Sequence, residues 1–327
     1  MSCIMVAGGA GYIGSHTVRA LRRAGRNVVV LDNLSTGHRA AVRGVPFVEA
    51  DIRDTDAVCA ALQVHEAAAV MHFAADSRVG ESQTDPQKYY DNNVCGTLCL
   101  LSAMRRAGVY KLVFSSTAAV YGDAKGRITE VYPKQPTNVY GRTKWMIEQM
   151  LADFDAAYGL KTVALRYFNA AGADSDGDIG EDHKPETHLI PLVLRAAGGQ
   201  KPLTVFGDDY PTRDGTCVRD YIHVNDLALA HVLALEALEG GAVSRVYNLG
   251  NGQGFSVLEV IRAAERVTGE KVPYVIGARR PGDPPSLVAD SSGIVRELGY
   301  APRHSDLEDI IATAWRFHRS HANGYGE

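Results

Sequence analysis

Tyr140-Gly-Arg-Thr-Lys144 sets a phenol and an ammonium four residues apart. On a helix, residues at that spacing share a face. A cation held near a phenol favours the phenolate. A tyrosine tuned in this way takes a proton from a substrate hydroxyl near neutral pH. The spacing alone is a weak signal, since about 0.4 such pairs are expected by chance at this Tyr and Lys content. A second pair does occur, Tyr121-Gly-Asp-Ala-Lys125. Gly122, Asp123 and Gly126 around it read as a turn, so its two side chains need not share a helix face. Tyr140 instead follows Asn138, a suitable N-cap. It precedes Trp145, Met146, Ile147, Met150, Leu151 and Phe154, with no helix breaker between Thr143 and Gly159. The plainer alternative is an exposed Tyr and Lys on a surface helix.

The elements before this helix supply a reason for such a tyrosine. Cys3–Ala7 is a short apolar run that predicts a buried first strand. It enters Gly8-Gly-Ala-Gly11-Tyr12-Ile13-Gly14, and a helix is expected to about Ala24. Glycines between a first strand and a first helix let the backbone turn tightly and let a pyrophosphate approach the helix N-terminus. The spacing is G-x-x-G-x-x-G, and a structural glycine turn is the bland reading. A second strand, Asn27–Leu31, ends in Asp32-Asn33, and Asp32 stands 18 positions after Gly14. A carboxylate near that spacing binds the adenosine ribose hydroxyls and repels a 2′-phosphate, which favours NAD over NADP. Pro46–Ala50 is a third strand, and the Asp51-Ile52 that follows is placed for the adenine end.

Further strands are expected at Ala69–Phe73, Lys111–Phe114 and Thr162–Leu165, with a long helix from about Tyr89 to Gly108 that carries Asn92. The fourth strand closes on Phe73-Ala74. His72 within it reads as a packed core histidine. The fifth strand runs into Ser115-Ser116-Thr117, whose hydroxyls are expected past its carboxyl end, where doubly wound sheets bind ligands. Thr117 is therefore placed to hydrogen-bond the hydroxyl that Tyr140 deprotonates. Alternating strands and helices over residues 1–169 predict an α/β fold, a Rossmann-type doubly wound parallel sheet. Residues 170–327 are expected to form a smaller C-terminal α/β substrate lobe, with parts of 217–250 packing back on the first domain. Asn225 is expected to cap a helix, and Ser256-x-x-Glu259 and Ser305-x-x-Glu308 read as capping boxes. Arg219 and Arg280 are forks that suit a diphosphate.

The chain has 327 residues and a net charge of −4. That charge gives no basic footprint for nucleic acid. No apolar run reaches membrane-spanning length. The chain enters a strand at once, leaving no room for a leader. Cys3, Cys59, Cys95, Cys99 and Cys217 are scattered, without metal or redox spacing. Cys95 and Cys99 are expected on the core face of one helix. A reducing cytoplasm is the expectation.

Together these residues resemble the extended short-chain dehydrogenase/reductase family over nearly the whole chain. The likeness rests on GGAGYIGSH at 8–16, NNVCGT at 92–97, FSSTAAVYG at 114–122, Tyr140 with Lys144, RYFNAAG at 166–172, GDDYPTRDGTCVRDYIHV at 207–224 and RRPGD at 279–283. The tract Y-P-T-x-D-G-T-x-x-R-D-Y is the most specific, and points to the branch that epimerises UDP-hexoses at C4′. The resemblance implies tightly held NAD, a transient 4-keto sugar, Tyr140 as base and Thr117 as proton bridge. It implies that Lys144 lowers the Tyr140 pKa and binds the nicotinamide ribose. Gly8, Gly11, Tyr12, Ile13, Gly14, Asp32, Asn33, Asp51, Ile52, Phe73, Ala74, Asn92, Ser115 and Tyr167 would hold the cofactor. Phe168 would line the sugar pocket, and Asn169, Leu189, Arg219, Arg280 and Asp283 would hold UDP.

Two positions depart from relatives. Ser77, with Arg78 beside it, stands where some carry a cofactor-contacting lysine. Leu287 stands at a sugar-pocket position that is a bulky tyrosine or a small residue elsewhere, leaving UDP-N-acetylhexosamines open as substrates. A 4,6-dehydratase would need Asp-Glu after the threonine, where this chain has Ala118-Ala119. A UDP-glucuronate enzyme would need a carboxylate-binding group that the sequence does not identify. A non-catalytic NAD-binding regulator would predict a broken Tyr/Lys pair. By analogy with the family a homodimer is expected, through Leu98, Leu101 and Met104 on one helix and Trp145 and Met150 on another.

Overall fold

A computed structural model describes residues 2–124, 126–280 and 283–326. Elements in chain order are β1 (Cys3–Ala7), α1 (Tyr12–Arg23), β2 (Asn27–Asp32), β3 (Phe47–Glu49), α2 (Thr55–Val64), β4 (Ala67–His72), α3 (Val79–Thr84), α4 (Pro86–Tyr89), α5 (Gly96–Ala107), β5 (Lys111–Thr117), β6 (Gly126–Ile128), α6 (Val139–Tyr158) and β7 (Lys161–Tyr167). After them come β8 (Asn169–Ala171), α7 (Leu189–Ala197), β9 (Leu203–Phe206), β10 (Val218–Arg219), β11 (Tyr221–His223), α8 (Val224–Glu239), β12 (Arg245–Leu249), β13 (Phe255–Ser256), α9 (Val257–Thr268), β14 (Tyr274–Gly277), β15 (Ser286–Ala289), α10 (Ser292–Leu298) and α11 (Leu307–Ser320).

Among the described residues, seven strands form one parallel sheet in the order β12-β7-β5-β4-β1-β2-β3. Its interior strands are almost continuously apolar because helices cover both faces. Ile4, Val6, Val30, Met71 and Leu165 pack toward α1 and α8, whereas Met5, Leu31, Val70 and Phe114 pack toward α2, α5 and α6. The order turns back between β1 and β4, and such a switch point opens a crevice at the strand carboxyl ends. Strand β12 joins the sheet edge beside β7, and α8 packs on α1, so part of 217–250 returns to the first layer. A smaller sheet, β13-β10-β15-β6, lies beside it. The third core gathers α7, α9 and α11 around Ile190, Val260 and Ile310.

Several boundaries differ from expectation for local reasons. The helix expected over 89–108 is interrupted by a π-turn at Tyr90–Cys95 between α4 and α5. Such a turn re-aims side chains, and here it turns Asn93 inward. Strand β5 continues through Thr117, so its three hydroxyl residues belong to the strand rather than lying past it. The strand expected over 217–224 breaks at Asp220, whose buried carboxylate accepts the backbone N–H groups of Asn251 (2.6 Å), Gly252 (3.0 Å) and Ala289 (3.0 Å). His223 rather than Asn225 caps α8, and Asp306 rather than Ser305 caps α11. The capping box at Ser256 and Glu259 forms in full. Cys95 is exposed, not packed in the core.

Candidate active site

Gly8 and the turn after it create a cradle that side chains would fill. Gly8 has φ +76°, and a Cβ there would lie 2.3 Å from the Ala74 nitrogen. The chain leaving β4 through Phe73-Ala74 therefore crosses directly over the end of β1. A Cβ on Gly14 would lie 2.2 Å from the Gly8 carbonyl oxygen. Gly11 is the N-cap of α1 and brings no side chain to its first turn, so the N–H groups there face outward toward an anion. Tyr12 donates to the Gly172 carbonyl (2.6 Å), and Ile13 packs against the first core.

Asp32, at the end of β2, accepts from the Ala10 N–H and the Leu34 N–H at 2.9 Å each. Burial raises its pKa, and these two bonds oppose the rise. Asn33 donates to Asp51 (2.9 Å), and Arg53 beside Asp51 holds that carboxyl well below the usual range. Ile52 is buried against Gly96. Phe73 packs against His231, with ring centroids 4.7 Å apart and the planes tilted by 39°. These features fit a dinucleotide: a bare helix N-terminus for its diphosphate, and a carboxylate at the end of β2 for its ribose. Asn92 donates to Asp76 (2.9 Å). Asn93 joins the loop after β4 to α6, because it accepts from the Asp76 N–H (2.8 Å) and its amide donates to the Asp76 carbonyl (3.0 Å) and to Thr143 (3.2 Å).

Asn138 caps α6 by accepting the Gly141 N–H (2.8 Å), which fixes the turn that carries Tyr140. Lys144 lies one turn on, with Nζ 5.9 Å from the Tyr140 ring centroid and donating to the Ser115 carbonyl (3.0 Å). Ser115 shares a hydrogen bond with the Tyr167 hydroxyl (2.8 Å). Thr117 accepts the Ala119 N–H (3.1 Å), which leaves its own proton to donate toward the phenol or a bound alcohol. Tyr140, Lys144 and Thr117 are all buried, at 7 %, 3 % and 7 % exposure.

The lowering of Tyr140 expected from Lys144 does not arise from the protein's own groups. Burial is the largest influence, Tyr167 adds to it, and together they push the phenol well above its ordinary range against the Thr117 hydroxyl. Lys144 is itself lowered to about 7 by burial, with Glu148 pulling it upward. A positive charge placed beside the phenol would oppose this rise.

Sequence reading missed the support beneath this group. Glu148, one turn beyond Lys144, accepts from Ser116 (2.5 Å) and from Arg166 Nε (2.9 Å) and pairs closely with a second Arg166 nitrogen. Arg166 also donates to Tyr121 (2.7 Å), which donates to Asn248 (2.6 Å). The network links β5, α6, β7 and β12. Its signal in the sequence was a glutamate four residues after Lys144 and an arginine closing an apolar strand. His72 is a core residue as expected: it is buried, its Nε2 lies 2.9 Å from Thr97 Oγ1, and burial lowers its pKa to about 3.

On the other side, Phe168 and Leu287 pack against the same cluster as Trp145 and Tyr132. Asn169 donates to the Asp220 carbonyl (2.8 Å). Leu189 opens α7, whose N-cap His188 offers no side-chain cap. Arg219 and Asp283 pair closely with each other instead of standing free. Arg280 lies over the Phe206 ring at 4.0 Å. Pro281 and Gly282 of the RRPGD tract, and Lys125 of the second Tyr/Lys pair, lie outside the described residues. Of the residues expected at a subunit contact, Leu101 and Met104 are buried in the chain's own core, Trp145 and Met150 are partly covered, and Leu98 is exposed.

A UDP-glucose 4-epimerase of Lacticaseibacillus casei is 52% identical over 327 residues, 99% of each chain. One of Lactobacillus helveticus is 54% identical over 98% of each. The crystal structure of the UDP-glucose 4-epimerase from Brucella ovis in complex with NAD superposes with a TM-score of 0.95 at 51% identity, covering 97% of this chain and 98% of that one. The model of the NAD dependent epimerase/dehydratase family matches residues 4–250, most of the sheet and the whole Tyr140 helix, and the chain belongs to that family.

Proposed function

We propose that this chain interconverts the C4′ epimers of a UDP-hexose, UDP-galactose and UDP-glucose, using bound NAD. The observation that carries the reading is the convergence of Thr117, Tyr140 and Lys144 at the carboxyl end of β5. The glycine turn lies across the same crevice at the end of β1. When bound, NAD supplies the reversible two-electron acceptor that an alcohol–ketone interconversion at C4′ requires, and with it a positive charge. The chain's own residues do the rest. Gly8, Gly11 and the first turn of α1 hold the diphosphate, Asp32 the adenosine ribose, and Lys144 the second ribose. Tyr140 accepts the 4′-hydroxyl proton through Thr117 and later returns it to the opposite epimer. Phe168 and Leu287 give the sugar an apolar, sparsely bonding wall, so the 4-keto sugar can turn while Arg219, Arg280, Asp283, Asn169 and Leu189 keep the UDP in place. Residues 1–169, with the parts of 217–250 that pack back on them, form the dinucleotide half, and the remainder forms the sugar-nucleotide half.

Incubation with UDP-galactose and no added cofactor should yield UDP-glucose without net NADH. Failure to form product even after NAD is added would overturn the reading. Leu287 favours a second substrate class, because leucine leaves more room beside Phe168 than tyrosine would. Any activity on UDP-N-acetylgalactosamine should then fall in Leu287→Tyr, and an unchanged rate would refute the size argument.

We also propose a homodimer through the outer faces of α5 and α6, where Leu98 and Met146 are 47% and 37% exposed. A monomeric mass by sedimentation would overturn it. Among the described residues no helix is long and apolar enough to cross a membrane.

A further inference from the structure

The eight residues before α7 read Glu181-Asp-His183-Lys-Pro-Glu186-Thr-His188, and nothing in the proposed reaction uses their side chains. The fold gathers both glutamates and both histidines into one group, with one donor atom from each lying within 4.8 Å of the others. His183 Nδ1 lies 3.1 Å from Glu181 Oε1 and 4.0 Å from Glu186 Oε1, and His188 Nδ1 pairs closely with Glu181 Oε1. The two carboxylates are deeply buried, with side chains 4% and 0% exposed. Glu186 Oε1 accepts the N–H groups of Thr187 (2.7 Å) and His188 (2.8 Å), whereas its Oε2 has no partner among the described residues. The two histidines meet Glu181, but a buried Glu186 oxygen left unmatched beside a second carboxylate is costly unless a positive charge is held next to it.

We propose that Glu181, His183, Glu186 and His188 bind one divalent cation of the zinc class. Two imidazoles and two carboxylates match the borderline preference of such ions, and the harder Mg2+ and Ca2+ select oxygen donors alone. Donor atoms around a four-coordinate ion stand roughly 3.3 Å apart, so the group closes on the ion by a small side-chain movement. A cavity of about 550 Å³, lined in part by Glu181, His183, Glu186 and His318, opens onto the cluster and gives the ion a path in. The site is structural. His183 packs edge-on against Tyr12 of the glycine turn (6.3 Å, 87°), and His188 directly precedes Leu189 at the start of α7. An ion here fastens the cofactor-side turn to the helix that meets the UDP. The other acidic group, Asp174, Asp176 and Asp178, does not compete, because Arg19 and Arg23 already bridge it.

The test uses the full chain without an affinity tag, stripped with a chelator and titrated with ZnCl2 in a calorimeter and with CoCl2 in a spectrophotometer. One Zn2+ per chain and intense visible Co2+ bands of a four-coordinate nitrogen–oxygen site are expected. Tm should rise by about 4 °C when free Zn2+ is about a hundred times Kd. His183→Gln and Glu186→Gln should each weaken binding roughly tenfold or more, while Asp178→Asn leaves it unchanged. Several weak equivalents, faint octahedral Co2+ bands or no response in Tm would overturn the site. So would Gln variants that bind as the parent does, or loss of binding on Asp178→Asn. If a Gln variant does not fold, the Co2+ spectrum of the parent chain decides alone.

Discussion

The end of the crevice proposed to handle the proton and the end proposed to hold the nucleotide are built in opposite ways. Tyr140, Lys144 and Thr117 stand on a long strand and a 20-residue helix. Beneath them the Glu148–Arg166 pair is 4% and 3% exposed and bonded on all sides. Arg219 and Asp283 stand on a two-residue strand and a loop. Their side chains are 14% and 23% exposed, and Arg279 nearby is spent on exposed Asp209. The first end is fixed by the fold before any substrate arrives. The second is paired with itself, so in the proposed mechanism Arg219 exchanges Asp283 for a diphosphate. The reacting atoms need sub-ångström placement, whereas a clamp that holds UDP through a ketone intermediate and then releases the product has to open. Substitutions at the first end should therefore strike kcat and stability, and at the second chiefly KM.

The largest effect expected is for Tyr140→Phe, a fall in kcat of about 10³- to 10⁴-fold with NAD still bound, read by single-turnover assay. A residual rate within tenfold of the parent would break the comparison. Glu148→Ala strands the buried Arg166 guanidinium and should cost about 3–5 kcal/mol in urea denaturation. The same change removes the group that pulls the Lys144 pKa upward, so that pKa should fall further. Lys144→Met sharpens the picture through pH. Burial holds Lys144 near 7 when folded, against 10.5 when free. Between those values the unfolded chain carries a proton that the folded chain lacks, so the parent gains stability as pH rises. The variant lacks that slope. Its stability advantage should be greatest below pH 7 and shrink toward pH 10.5, and a pH-independent difference would contradict the burial of Lys144. The smallest effect is expected at the clamp: Arg219→Ala should raise KM for UDP-galactose roughly tenfold with kcat nearly unchanged.

The same contrast governs how much was legible in the sequence. The parallel sheet and the glycine turn could be read because apolar strands, glycines and caps act locally, and the Tyr140 helix could be read because Asn138 and an uninterrupted run define it. The π-turn that aims Asn93 inward could not, because it follows from tertiary bonds to Asp76 and Thr143. Asp220 gave no local sign that its carboxylate would gather three backbone N–H groups, two from a distant loop and one from the end of β15. Leu101 and Met104 were misplaced as surface residues because helical periodicity cannot tell a helix's own core from a partner's. Lys144 was credited with lowering the phenol because spacing conveys charge and says nothing of desolvation.

That last point is the centre of the proposal: the fold sets the geometry around Tyr140, and the proposed mechanism draws the charge that makes Tyr140 a base from the bound cofactor. The direct test is an ultraviolet difference titration of the phenolate, parent minus Tyr140→Phe, with and without NAD. A Tyr140 titration near neutral pH in the NAD-loaded protein, absent below pH 10 in the stripped protein, is the predicted result. A stripped protein that already titrates near neutral pH would show that Lys144 alone suffices, and the account would be wrong.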